Sequence, residues 1–217
     1  MVEIEPSLYA ADFANLGEQL DALLRTGARI FHFDVGDGHF VEPVTIGPIV
    51  LKSIAPGIHR LDGKIDVHLM VENPAKYFRP VAEAGGDSVT FHYEAVLDVP
   101  GTIAAARELE LQVGVAFNPQ TDPAAVAAVA GTADVVLCMS IEPGYSGQEF
   151  LPESIDRLRL TRALLPEEIF VQVDGGVTNE NVREIYDAGA TLIVAGSAIF
   201  AREDLPRAYR RLVQALA

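Results

Sequence analysis

The chain has 217 residues, a formal net charge of −15 and 49% hydrophobic residues. Such acidity leaves no positive footprint for nucleic acid or an anionic membrane, and no apolar run reaches the length that spans a bilayer. The length suffices for a large core, and an α/β barrel commonly uses this much sequence as one unit, so residues 1–217 are expected to form a single domain. The opening Met1-Val2-Glu3-Ile4-Glu5 lacks the basic start of a secretory signal, which sets the expectation of a soluble, cytoplasmic protein. Cys138 is the only cysteine and sits inside Val135-Val136-Leu137-Cys138-Met139, where a packed thiol is expected.

Short β-branched runs alternate with longer Ala/Leu/Glu/Arg segments along the chain, the βαβα pattern. Strands are expected at 3–7, 28–34, 64–70, 88–92, 112–117, 135–139, 170–174 and 192–195. Between them, Leu16, Gln19, Leu20, Leu23 and Leu24 recur at helical spacing, as do Ile103, Ala106 and Leu109, and Val182, Ile185 and Tyr186. Gly27, Gly85 and Gly189 each end a helical stretch just before the next strand. Eight such units close a (β/α)8 TIM barrel. A doubly wound open sheet would carry its glycine cluster after the first strand, where this chain has Tyr9-Ala10-Ala11-Asp12-Phe13 instead.

Polar residues end several of these apolar runs. His32 and Asp34 close Ile30-Phe31-His32-Phe33-Asp34, His68 follows Ile65-Asp66-Val67, and Asp174 closes Phe170-Val171-Gln172-Val173-Asp174. In a parallel barrel all four share the C-terminal rim, where such folds place their chemistry. Residues two apart on a strand point the same way, so His32 and Asp34 share a face. A lone histidine in an apolar strand is usually a hydrogen-bonded core residue, but two aspartates beside two histidines need a compensating charge when buried. One divalent cation supplies it, and mixed nitrogen and oxygen ligands favour zinc, with iron(II), manganese or cobalt as alternatives. Asp66 lies two residues before His68 and is a candidate to orient it.

Glycines gather after the last three strands, in Pro143-Gly144-Tyr145-Ser146-Gly147, Gly175-Gly176 and Gly196-Ser197. Barrels commonly hold phosphate with these loops, since glycine admits close backbone approach and each loop is expected to lead into a helix N-terminus. Any one of these pairs could simply make a turn, but three consecutive loops point to a phosphate cradle.

Read with their neighbours, these residues resemble the ribulose-phosphate 3-epimerase family over essentially the whole chain. The resemblance runs through Pro6-Ser7-Leu8 with Ala11-Asp12-Phe13, His32-Phe33-Asp34-Val35, Asp37-Gly38-His39-Phe40-Val41 and Asp66-Val67-His68-Leu69-Met70-Val71. It continues in order through Phe91-His92, Asn118-Pro119 with Thr121, Met139-Ser140-Ile141-Glu142-Pro143-Gly144, Val173-Asp174-Gly175-Gly176 and Ala195-Gly196-Ser197-Ala198-Ile199-Phe200.

The resemblance implies a ribulose-phosphate-binding TIM barrel with one divalent metal per subunit on His32, Asp34, His68 and Asp174. It implies that Asp34 and Asp174 are also the two acid/base groups, which interconvert D-ribulose 5-phosphate and D-xylulose 5-phosphate at C3 through a metal-stabilised enediolate. Ser7 and His68 would contact the sugar, while Gly144, Tyr145, Ser146, Gly147, Gly175, Gly176, Gly196 and Ser197 would hold it and its phosphate. A homo-oligomer is the implied assembly.

Several positions depart from the family pattern: Gly36 replaces a typical methionine, Val41-Glu42-Pro43-Val44-Thr45 replaces a Val-Pro-Asn segment, Ser146 replaces a glycine and Ala10 replaces a serine. These leave room for another ketose phosphate such as allulose 6-phosphate. Two further rivals are a Schiff-base aldolase and a non-catalytic phosphosugar-binding barrel. The aldolase needs a lysine at a strand's C-terminal end. Lys52 and Lys76 are expected on helices and Lys64 at a strand's start, which argues against it.

Overall fold

The computed structural model describes residues 2–216. Its strands are β1 (Glu3–Pro6), β2 (Ile30–Gly36), β3 (Lys64–Met70), β4 (Ser88–His92), β5 (Gln112–Phe117), β6 (Val135–Met139), β7 (Phe170–Asp174) and β8 (Leu192–Ala195). The helices between and after them are α1 (Leu16–Thr26), α2 (Pro48–His59), α3 (Ala75–Ala84), α4 (Val99–Arg107), α5 (Pro123–Ala127), α6 (Ser154–Leu164), α7 (Val182–Asp187), α8 (Ser197–Phe200) and α9 (Leu205–Ala215). Every strand pair is parallel, in the order β1-β8-β7-β6-β5-β4-β3-β2. A parallel bridge from Ser7 to His32 joins the two ends, so the sheet closes as a (β/α)8 barrel.

Helix boundaries follow local chemistry. In α1 the buried side chains are Leu16, Leu20, Leu23 and Leu24, one stripe against the sheet, and Gly27 ends the helix in the left-handed region. Asp98, Asp122 and Asp204 accept a backbone N–H at the starts of α4, α5 and α9, each of which has a proline in its first turn. Two helical expectations shift: α4 ends at Arg107, which leaves Leu109 in the following turn, and Tyr186 is exposed with Arg183 stacked over its ring. Lys52 and Lys76 lie on α2 and α3, and Lys64 begins β3.

Two strands differ from expectation at their ends: β1 stops at Pro6, one residue short of Ser7, and β2 is displaced at both ends. The Ala28 N–H bonds back to Leu23 O in the turn closing α1, so β2 begins only at Ile30. At its other end β2 runs past Asp34 to Gly36, because the chain turns and comes back: Asp37 bridges Val44, and the Thr45 N–H donates to Gly36 O at 3.2 Å. Gly36 is required there. A Cβ on it would lie 2.8 Å from Pro43 O and 2.9 Å from Val41 Cγ2. The returning segment thus fills the space that a side chain at position 36 would take.

Alternation along each strand sorts the core into two layers. Phe31, Phe33, Val35, Val67, Leu69, Val113 and Val115 belong to the main hydrophobic cluster between sheet and helices. Inside the barrel the wall is divided. Ala116, Leu137, Met139 and Ile141 make a small apolar cluster from β5, β6 and the loop after it. The interior elsewhere is polar and buried, with Glu5, His32, Asp34, Asp66, His68, Thr90, His92 and Gln172. Cys138 is fully buried, and burial pushes its thiol up to about 11, the signature of an inert core cysteine. Among the described residues no helix is long and apolar enough to cross a membrane.

Candidate active site

His32, Asp34, His68 and Asp174 meet at the C-terminal end of β2, β3 and β7. Register explains why: Asp34 lies beside His68 across the β2–β3 pair, and Met139 beside Asp174 across β6–β7. One ligand atom from each of the four lies within 4.8 Å of all the others. Asp34 Oδ1 is 3.3 Å from His32 Nε2 and 3.2 Å from His68 Nδ1, while its Oδ2 accepts a 2.7 Å hydrogen bond from the Ser7 hydroxyl. Asp174 Oδ2 is 3.9 Å from the same two ring nitrogens. Two imidazole nitrogens and two carboxylate oxygens facing one point fit a divalent transition-metal ion.

The two carboxyls are pushed in opposite directions. Burial works against ionisation of Asp34, yet the His32 and His68 rings hold its carboxyl well below the usual range. Asp174 is pushed the other way, up to about 7, by burial and then by the negative charge of Asp34. His32 is raised well above its usual value: burial opposes its charge, but Asp34 and Asp66 outweigh it. His68 is lowered, chiefly by burial.

Asp66 does not orient His68. Its Oδ2 lies 3.0 Å from His32 Nδ1, its register neighbour on β2, and it also accepts from Ser88, Thr90 and Gln172. Burial favours its neutral form, but these partners, His32 first, bring it down to about 2. Gln172 also donates to Glu5 Oε2 at 2.6 Å, and burial followed by the Asp66 charge pushes Glu5 up to about 8. Glu5, Gln172 and the His92–Glu94 pair escaped the sequence reading as parts of this network. A charged residue inside an apolar strand, as in Ile4-Glu5-Pro6, was the available signal for Glu5.

Beside the cluster opens a cleft of about 520 Å³, counted out to solvent. Its walls include Ser7, Asp34, Asp174, Gly144, Tyr145, Ser146, Gly147, Gly175, Gly176, Gly196 and Ser197, with Tyr9, Met70, Met139, Ile141, Val177 and Val194. His68 is fully buried and does not line it. Gly176, at φ +63°, allows the closest approach: a Cβ there would lie 2.3 Å from the Phe150 backbone nitrogen. The helices are less direct than expected. Gly196 caps α8, but α6 begins only at Ser154 and α7 at Val182, so the β6 and β7 loops present backbone turns rather than helix ends. The Tyr145 hydroxyl donates to Glu42 Oε2 at 3.1 Å, tying the β6 loop to the β2 loop.

A closed (β/α)8 barrel with a buried His/Asp cluster at its C-terminal rim, opening on a glycine-lined cleft, defines a class of small-molecule enzyme site. The profile of the Ribulose-phosphate 3 epimerase family matches residues 3–200. A ribulose-phosphate 3-epimerase of Escherichia coli strain K12 is 43% identical over 204 residues, covering 93% of this chain and 90% of its own. One from Aquifex aeolicus strain VF5 is 39% identical over 212 residues, covering 96% and 94%. The chain belongs to the ribulose-phosphate 3-epimerase family, and so to the isomerases that epimerise carbohydrates. Among solved structures, a 3-hexulose-6-phosphate synthase superposes with a TM-score of 0.76 at 20% identity over 99% of this chain and 100% of that one, a likeness of fold.

Proposed function

We propose that this chain interconverts D-ribulose 5-phosphate and D-xylulose 5-phosphate by proton transfer at C3, as one barrel domain over residues 1–217. The observation that carries the reading is the pair Asp34 and Asp174. Their surroundings push them in opposite directions, Asp34 down and Asp174 up to about 7, and both line the same cleft. Such a split is what acid/base pairs need. In one direction Asp34 removes the C3 proton and Asp174 returns one to the opposite face of the planar enediolate, inverting the centre; in the other direction the roles exchange. Ser7 holds Asp34 by Oδ2, while Oδ1 faces the His32 and His68 rings.

His32, Asp34, His68 and Asp174 would hold the divalent cation, zinc by ligand type, with iron(II), manganese or cobalt as alternatives. When bound, such an ion supplies Lewis-acid stabilisation of the charge that develops on the sugar oxygens. The turns at Gly144–Gly147, Gly175–Gly176 and Gly196–Ser197 would bind the phosphate and fix C3 between the carboxyls. Met70 and Met139 would exclude water from the apolar side. The alternative substrate is a hexulose phosphate such as allulose 6-phosphate, which the departures at Gly36 and 41–45 keep in view. Family resemblance adds a cytoplasmic, homo-oligomeric setting.

The test is NMR of ribulose 5-phosphate in D₂O with chelator-treated protein, then with zinc, iron(II), manganese or cobalt added. Deuterium at C3 and formation of xylulose 5-phosphate are expected after one of the metals is restored. Failure of every metal to give exchange would sink the reading, and faster turnover of allulose 6-phosphate in competition would replace the substrate.

A further inference from the structure

The outer edge of His68 is joined to another imidazole rather than to a carboxylate. His68 Nε2 lies 2.8 Å from His92 Nε2, so one ring must donate and the other accept. The far side of His92 decides which. His92 Nδ1 faces Glu94 Oε2 at 3.4 Å, an ion-pair distance at which neither this nitrogen nor the nearby buried Asn118 Oδ1 makes a hydrogen bond. The group that faces Nδ1 is therefore an acceptor. Glu94 is fixed in that role, since its other oxygen accepts from the Asn118 N–H at 2.8 Å and from the Thr121 hydroxyl. The His92 ring is also clamped, with Phe40 at 4.7 Å and His68 at 5.0 Å between ring centroids.

We infer that His92, oriented by Glu94, is a positioning residue that fixes His68 as its Nε2–H tautomer and keeps the His68 Nδ1 lone pair turned toward Asp34 and Asp174. With the Glu94 carboxylate facing it, His92 Nδ1 is the ring nitrogen that favours the proton, which leaves its Nε2 a bare acceptor for the His68 Nε2–H. The opposing pull is close by: Asp34 Oδ1, 3.2 Å from His68 Nδ1, would otherwise draw the proton to the inner nitrogen. A ligand ring presents a lone pair only in the correct tautomer, so the relay prepares His68 before any cation arrives. The consequence for metal rests on the proposed cation site; the tautomer itself does not.

Long-range ¹H–¹⁵N correlation of the ring nitrogens in chelator-treated protein at neutral pH tests the inference, alongside a Zn²⁺ competition titration. Wild type is expected to show His68 protonated at Nε2 and His92 at Nδ1. His92→Phe should move the His68 proton to Nδ1 and weaken Zn²⁺ binding about 10- to 100-fold. His92→Gln, whose amide oxygen accepts from His68, should restore both. A wild-type His68 protonated at Nδ1 overturns the inference, and this readout stands even if His92→Phe fails to fold. An unchanged tautomer in folded His92→Phe overturns it as well. A wild type with the expected tautomers that binds no Zn²⁺ upholds the relay and sinks the cation reading instead.

Discussion

Ser7 and Asp34 are joined by a 2.7 Å hydrogen bond from hydroxyl to Oδ2, across the bridge that closes the barrel between β1 and β2. Asp34 is thereby held at both oxygens, by a hydroxyl on one and two imidazoles on the other. Ser7→Ala should lower kcat/KM by about 10-fold, about 1.4 kcal/mol of barrel-held alignment. A buried hydrogen bond to a charged group is worth about 1.5–3 kcal/mol, so a fall of several degrees in Tm should accompany it. Unchanged kinetics in the folded variant would show that Asp34 is aligned without Ser7.

Asp174→Asn removes the group that holds its proton near neutrality. The isosteric amide cannot carry a proton to or from C3, so epimerisation should fall by at least about 10²- to 10⁴-fold, while Asp34 can still exchange deuterium into the epimer whose C3 proton faces it. Phosphate affinity, read by protection against thermal unfolding with added inorganic phosphate, should persist. Retained epimerisation would take Asp174 out of the acid/base role.

Gly36→Ala meets the Pro43 carbonyl at 2.8 Å, a backbone atom with no easy way to yield. Overpacking of this sort costs about 1–3 kcal/mol. Calorimetry should record a lower Tm, and KM should rise more than kcat falls if the segment 41–45 is displaced while the carboxyls stay in place. A variant as stable as wild type would mean that the returning segment adapts freely.

Glu5 gives a pH prediction whose sign is fixed by linkage. Its folded-state value of about 8 lies above the ordinary 4.5, so the folded chain keeps a proton that the unfolded chain has lost. That contribution to stability is full below pH 4.5 and declines as pH rises toward 8. Glu5→Gln keeps the shape without the titration. In metal-free protein its stability relative to wild type should therefore increase through this window, measured by denaturant unfolding at a series of pH values. A flat difference would mean that Glu5 does not titrate there.

The barrel was legible because its strands are short β-branched runs bounded by glycines and helical stripes; β3 through β8 fall where the pattern puts them. What stayed hidden depends on contacts across strands. Closeness in sequence suggests Asp66 as a partner of His68, yet residues two apart along a strand are about 6.6 Å apart, whereas neighbours across a sheet are about 4.8 Å apart. Register therefore delivers Asp66 to His32. The same holds for Glu5 with Gln172, far apart in the chain and 2.6 Å apart in the barrel. His92 was visible as the end of β4, but its role depends on Glu94 and Asn118 from two different loops. The extension of β2 to Gly36 depends on the return of Thr45, which no local signal carries.

The interlock of Gly36 with Val41, Pro43 and Thr45 makes residues 36–45 a matched cassette rather than a set of independent positions. Thr45 Oγ1 accepts from the Gly36 N–H and donates to the Asp34 carbonyl, both at 2.7 Å, so the cassette is fastened directly to the backbone of an acid/base candidate. A chimera that imports a bulky residue at position 36 without its own loop, or the loop without its residue, inherits a clash or a void. Exchange between related barrels should succeed only when the whole stretch travels together, and variation at its two ends should be correlated across descendants of this sequence.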